Sequence, residues 1–296
     1  LEANNRQLNQ IVEAFRNAPS IESQQSGMDD WLLGRLSESR TRWVEAMDNV
    51  SLREGVMISH FEMLSDWQWY RRRGGSDKST IQRYMSNWAE MLAPATPHVA
   101  EEFWDSLGGE GLLASNTLSD LSDLSSKDWS HTLAMEEYLR ELIDSARNIK
   151  ILAQKHSEGP ITKMVIQTSP LWKSELASNA IEMSLSDFDF RAKGQDYLKN
   201  LPIFSNESLR GEIFQTWMSM TSGTKKKRGR INTWSHGQKT LLRNGFDESS
   251  MINMNSSFIA KSLGIENVES YRVGEGEDVA GKARVSFPLE PGIAFL

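Results

Sequence analysis

The chain has 296 residues, 39% of them hydrophobic and ten of them tryptophan, so it can build a core of two ordinary domains and is not disordered throughout. It has no cysteine, which excludes disulfides, thiolate metal sites and a cysteine nucleophile and suits a reducing cytoplasm. The net charge of −7 is uneven: residues 1–157 carry 16 Lys/Arg against 24 Asp/Glu, whereas residues 191–243 carry 11 against 3, the pattern of an acidic body with a local polyanion site or of a solvated basic face.

In chain order, a short helix over 1–16 leads into "MDDWLLGRLSESRTRWVEAMDNV". There Leu33, Leu36, Val44 and Met47 share a helical face, with Leu32 and Trp43 beside it. Ser51 and Glu54 have the spacing of a capping box. Val56, Met57, Phe61, Leu64 and Trp67 then form a second stripe, which Gly74 and Gly75 stop. Ile81, Tyr84, Met85, Trp88, Met91 and Leu92 form a third. Pro94 ends it, because proline cannot donate and turns Ala93 out of the helical region. Thr96 is placed to cap the next helix and Pro97 to occupy its first position, where no amide is missed. The double proline therefore predicts a corner between two packed helices, the second presenting Val99, Phe103, Trp104 and Leu107. A fifth stripe runs from Tyr138 to Ala153. The expected core includes Phe61, Tyr84, Trp88, Leu92 and Trp104.

Past Gly159 the texture changes. "ITKMVIQTS" alternates and is rich in β-branched residues, so it predicts a strand, and "PLWKSELASNAIEMS" predicts a helix. Helices are expected near 187–199, 208–221, 235–244 and 252–263. A second strand is expected at "ENVESYRV", and one or two more in "GKARVSFPLEPGIAFL", held to edge positions by Pro288 and Pro291. The expected fold is mostly α: an antiparallel helical bundle over 1–157, then a small α/β domain over 158–296.

The search for chemistry is mostly negative. The five histidines have no metal-ligand spacing, "HVAEE" lacks the second histidine of a zinc-protease helix, and "GEGEDVAG" fails the dinucleotide spacing. Glu101 and Glu102 are adjacent, so on a helix they diverge by about 100°. No catalytic, cofactor or metal residue is assigned. Two basic clusters remain: Arg71, Arg72 and Arg73 at a helix end after Trp67, Trp69 and Tyr70, and Lys225, Lys226, Lys227, Arg228 and Arg230 in a loop. Arg71–Arg73 can complement the helix dipole or suit nucleic acid through stacking and phosphate contact, and the 225–230 loop can be a nuclear-localisation-like tract, a phosphate-binding loop that touches RNA, or plain solvated charge.

"MDDWLLGRL", "WQWYRRR" and "WAEMLAPATPHVAEEFWDSLGGEG", in that order over residues 28–155, resemble the anticodon-binding bundle of class I aminoacyl-tRNA synthetases for leucine, isoleucine, valine and methionine. "WQWYRRR", the Gly-Gly-Glu-Gly ending and the α/β region after it are most similar to the C-terminal portion of archaeal and eukaryotic-type leucyl enzymes. The resemblance implies translation: a parent enzyme in the cytoplasm that uses ATP to load leucine onto leucine tRNA. The His-x-Gly-His and Lys-Met-Ser-Lys-Ser elements of ATP binding would lie upstream, since neither occurs here. It implies a monomer whose partners are tRNA and its own catalytic and editing domains, and an inactive isolated fragment. Arg71–Arg73 and the 225–230 cluster are the candidate tRNA contacts. The chain begins with Leu and is expected to be a piece of a longer one. It has no apolar run long enough to span a bilayer and no signal-peptide core at its start. The alternatives are the same region of an isoleucyl or valyl enzyme, or a stand-alone RNA-binding or structural helical module.

Overall fold

The computed structural model describes residues 2–18, 21–22, 24, 26–157, 159–186, 188–222, 229–276 and 278–296. They fall into two compact units, 1–133 and 134–296.

The first unit is helical: α1 (Glu2–Asn17), α2 (Asp29–Asp48), α3 (Leu52–Val56), a π-helical turn (Met57–Glu62), α4 (Met63–Arg72), α5 (Lys78–Leu92), α6 (Pro97–Ser106) and the short α7 (Ser122–Ser125). Its core takes Phe15 from α1, Leu32, Leu36 and Trp43 from α2, Tyr84, Trp88 and Leu92 from α5, and Phe103 from α6. Phe15 stacks on Phe103 at 3.9 Å between centroids and tilts against Trp88 at 5.1 Å. Pro97 opens α6 as its spacing predicts, so the double proline is the corner between α5 and α6. Thr96 does not cap that helix; its hydroxyl donates back to the Leu92 carbonyl at 3.2 Å. The Ser51–Glu54 box is likewise not formed. Asp77, by contrast, caps α5 by accepting from the Thr80 amide at 2.9 Å.

The second predicted stripe keeps Leu64 and Trp67 in the core but fails at Met57 and Phe61, and the π turn is the reason. Met63 N–H bonds to the Ile58 carbonyl, five residues back. The wider turn rotates α4 relative to α3 about their common axis. Ile58 is fully buried, whereas Met57 and Phe61 are each 43% exposed, so Phe61 is not a core residue. Side chains from two neighbouring helices fix the turn. Gln7 donates to the His60 carbonyl at 2.8 Å, Trp88 Nε1 to the Ser59 carbonyl at 2.6 Å, and Tyr84 to the Met63 carbonyl at 2.7 Å. Trp104, also expected inside, is half-buried: it lies over the 108–110 turn, and a Cβ on Gly109 would collide with its indole.

A buried ion pair ties α2 to α5. Arg40 Nη2 reaches Glu90 Oε2 at 2.7 Å, and both side chains are under 10% exposed. The same carboxylate accepts from the Ser119 amide at 3.1 Å, which pins the loop after α6.

The chain then enters α8 (Ser130–Gln154), the fifth stripe, with Tyr138, Leu139, Leu142, Ile143 and Ala146 buried. The second unit is built on a three-stranded sheet of order β2-β1-β3. Central β1 (Lys163–Thr168) pairs in parallel with β2 (Asn267–Arg272) and antiparallel with β3 (Gly292–Phe295). Pro288 and Pro291 lie before β3, an edge strand, as their missing donors require. Between β1 and β2 run α9 (Leu171–Ser184), α10 (Phe190–Lys199), α11 (Arg210–Thr221), α12 (His236–Arg243), α13 (Glu248–Met254) and α14 (Ser256–Leu263). The sequence predicts one helix near 252–263, across the last turn of α13 and all of α14; Asn255 separates the two, turning its amide back onto the Met251 carbonyl at 2.8 Å. Buried Lys173 joins α9 to α11 through Glu212 at 2.8 Å and donates to the Ser286 carbonyl at 3.2 Å. Gly292 is obligatory, because a Cβ there would strike the Lys282 carbonyl oxygen.

Candidate nucleic-acid interface

The first basic cluster sits at the C-terminus of α4. The Arg71 guanidinium donates to the Gly75 carbonyl and lies 5.9 Å from the Trp67 ring centroid. Arg72 lies 5.4 Å from Trp69. The backbone turns sharply after them: Gly74 has φ +86°, and Gly75 packs so closely on Tyr70 that a Cβ would overlap its ring. Tyr70 is held in turn by Asp29, which accepts its hydroxyl proton at 2.6 Å; burial and this bond push the phenol up. Arg71 and Arg72 remain exposed, while Arg73 is half-buried.

Other arginines of the first unit face carboxylates: Arg35 with Asp66 at 2.9 Å, Arg42 with Glu62 at 2.7 Å, Arg40 with Glu90, and Arg83 with Asp123. Arg71 and Arg72 make no ion pair among the described residues. They lie on aromatic rings at the negative end of a helix dipole, with their charge uncompensated by a side chain and open to solvent. A cleft of about 390 Å³ between α1 and α4 opens beside them, bordered by Gln10, Asn17, Gln68 and Arg71. The structural role of these arginines as cap and ring cover is thus real, and it leaves their outer faces available to an anion.

In the second cluster, Lys225, Lys226, Lys227 and Arg228 lie outside the described residues. Arg230 is described and is engaged: it pairs with Glu290 and stands 4.0 Å over the Phe287 ring, fastening the 3₁₀ turn Arg230–Asn232 to the turn before β3. Two basic residues that the sequence pattern does not single out, Arg191 and Lys193, are exposed on α10. Their signal is present only as part of the charge excess over 191–243. Lys199, Arg210 and Arg243 of that region are paired with Asp196, Glu207 and Glu182. Among the described residues no group of three or more His, Asp or Glu is placed to hold a metal ion, and no helix is long and apolar enough to cross a membrane.

A helical bundle with this corner between α5 and α6 and this arginine-tipped α4 matches, over residues 29–165, the family described as the anticodon-binding domain of tRNA ligase. The matched span takes in α2 to α8 and the first residues of β1. Curated relatives extend the likeness across nearly the whole chain. The leucine–tRNA ligase of Methanococcus maripaludis strain C7 is 24% identical over 97% of this chain and 26% of its own length. That of Methanococcoides burtonii is 26% identical over 90% of the chain and 26% of its own. That of Pyrococcus furiosus is 25% identical over 90% and 25%. The chain spans about a quarter of the length of the curated relatives it matches. It resembles the C-terminal portion of archaeal-type leucyl-tRNA synthetases, with the anticodon-binding domain followed by the α/β region. The isoleucyl, valyl and stand-alone readings are not favoured.

Proposed function

We propose that this chain is the tRNA-holding C-terminal portion of a leucyl-tRNA synthetase, a cytoplasmic, monomeric enzyme that loads leucine onto leucine tRNA at the expense of ATP. The observation that carries this reading is that the archaeal leucine–tRNA ligases align with 90–97% of the chain, and so with the α/β region as well as the anticodon-binding domain. In functional terms the bundle is taken to run over 1–157 and the tRNA-reaching domain over 158–296. ATP and leucine are handled elsewhere in the parent, and the fragment alone neither activates leucine nor aminoacylates tRNA. The bundle holds the tRNA body through Arg71, Arg72 and Arg73, and the second domain reaches the long variable arm with Lys225, Lys226, Lys227 and Arg228 on its approach. Arg230 serves that loop by anchoring its base through Glu290 and Phe287.

Filter-binding titration of leucine tRNA at several salt concentrations tests this. Each phosphate contact releases counterions, so the log–log salt slope should fall by roughly 0.7–0.9 for each contact removed. Neutralising Lys225, Lys226, Lys227 and Arg228 together should weaken binding and flatten the slope for tRNAs of any sequence, since phosphates carry no sequence information. An unchanged slope and affinity would leave the tract a solvated loop.

A further inference from the structure

The second unit has a cleft of about 410 Å³, a volume typical of small-ligand sites, which run roughly 300–1,000 Å³. It opens at the carboxyl ends of the two parallel strands, where Thr168 closes β1 and Arg272 closes β2. That is the position at which open α/β sheets receive ligands, because the connections diverge there and leave a crevice. Ser169 and Ser174, 3.2 Å apart through their hydroxyls, stand at its inner end. Along one wall α9 offers Ser178 and the exposed residue Asn179, whose side chain also meets Tyr197. Across from them the turn after α12 brings the half-buried ring of Phe246, braced edge to face on Tyr138 at 5.5 Å, and then Asp247.

The charge of the lining decides the ligand class. Arg243 is already bonded to Glu182; Arg272 is bonded to Asp247 at 3.2 Å and to Glu275 at 3.2 Å. Glu175 and Glu248 add two further carboxyl groups to the same lining. Such a cleft disfavours a phosphate. What faces a ligand is an aromatic wall, an amide, several hydroxyls and the exposed Asp247 carboxylate, already bonded to Arg272 and Ser250. Aromatic rings stack bases, a carboxamide reads a base edge with paired donor and acceptor, and a carboxylate accepts from ribose hydroxyls.

We infer that this cleft binds a nucleoside, with its base against Phe246, its base edge on Asn179 and its ribose hydroxyls toward Asp247. The nucleoside can be free or can be an unpaired residue of an RNA whose phosphates stay outside. The site stands whether or not the chain holds leucine tRNA.

Calorimetric and ligand-observed NMR titrations of the full chain with adenosine, cytidine, uridine, adenosine 5′-monophosphate and ribose test this. At least one nucleoside should bind, the monophosphate should bind more weakly than adenosine, and ribose should not bind measurably. Asn179→Ala, with its fold checked by circular dichroism and its urea midpoint, should weaken the nucleoside about tenfold, as should Phe246→Leu. Displacement of the nucleoside by tRNA assigns RNA as its source, and binding undisturbed by tRNA assigns a free nucleoside; either result keeps the cleft as the site. Absence of binding by every nucleoside at its solubility limit overturns the inference. So does ribose binding as tightly as a nucleoside, a monophosphate binding more tightly than adenosine, or an Asn179→Ala protein that binds like wild type.

Discussion

Glu248 shows how far one residue's surroundings can reverse its usual behaviour. It is buried at the head of α13 and accepts from the Tyr138 hydroxyl. Burial pushes its carboxyl up to about 7, against the pull of Tyr138 and of the Leu289 and Ser169 backbone. A carboxyl raised in the folded state binds its proton more readily there than when unfolded. Its stabilising contribution is complete below its unfolded pKa and is lost as pH rises from about 4.5 to about 7, by roughly 3 kcal/mol. Denaturant unfolding at several pH values should show this decline, and Glu248→Gln should remove it. Asp77 acts in the opposite sense: the Thr80 amide holds its carboxyl below the usual range, so that cap is lost only at lower pH. Glu90 is a second case of a residue defined by its partners. Glu90→Ala leaves Arg40 charged and buried without its counter-ion, which costs about 3–5 kcal/mol, read as a fall in the urea midpoint.

At the scale of elements, the π turn makes a sharp test of phase. Ile58→Ser should destabilise the first unit by about 2–5 kcal/mol, as truncation of a fully buried aliphatic does. Phe61→Ser, three residues on, should change stability by about 0.5 kcal/mol or less, as surface changes do, although an unbroken α-helical stripe ranks Phe61 as core. Trp88→Phe keeps most of the ring volume but removes the donor to Ser59 and should cost about 1–3 kcal/mol by leaving that carbonyl unsatisfied. Thermal or chemical denaturation checks all three. The same turn marks what the sequence could reveal. Helices with one continuous stripe, α5 above all, were legible because periodicity and burial coincide. The stripe through Phe61 misled because nothing in composition announces an i to i−5 bond; it is set by Gln7, Tyr84 and Trp88 donating from other helices. Strand β1 was readable from its β-branched residues, and the α13–α14 break was not, since Asn255 acts through a side-chain bond. For the interface, the arginines of α4 and the charge excess over 191–243 were visible, but the attachment of Arg230 to Glu290 and Phe287 is long-range and has no local signal.

For the whole molecule, the exposed arginines without ion pairs among the described residues lie on a first unit that is otherwise acidic, so the RNA contact proposed there would be confined to a patch. Arg71→Gln with Arg72→Gln should weaken tRNA binding and lower the salt slope, at a stability cost of about 0.5–1 kcal/mol for each ring's lost cation–π cover plus about 1 kcal/mol for the lost Arg71 bond to the Gly75 carbonyl. The outcome is checked by salt-series binding alongside denaturation. Removing "PGIAFL" is a different kind of change. It deletes all of β3 and leaves one edge of β1 without the strand that Val165 and Ile166 pair with, so lost tRNA preference in that variant would report lost folding.

The order of strands also sets the order of events during synthesis. Residues 163–168 find their parallel partner only at 267–272 and their antiparallel partner only at 292–295. Until those later residues leave the ribosome, β1, which is almost wholly apolar or buried in the finished sheet, has both of its edges open. Distant pairing of this kind slows folding and prolongs exposure of sticky edges, whereas neighbouring helices can dock as they emerge. Refolding should therefore be biphasic, with tryptophans of the first unit such as Trp88 quenched early and Trp234, beside the turn that precedes β3, reporting late. A nascent chain stalled before residue 292 should be the form that a holdase chaperone captures.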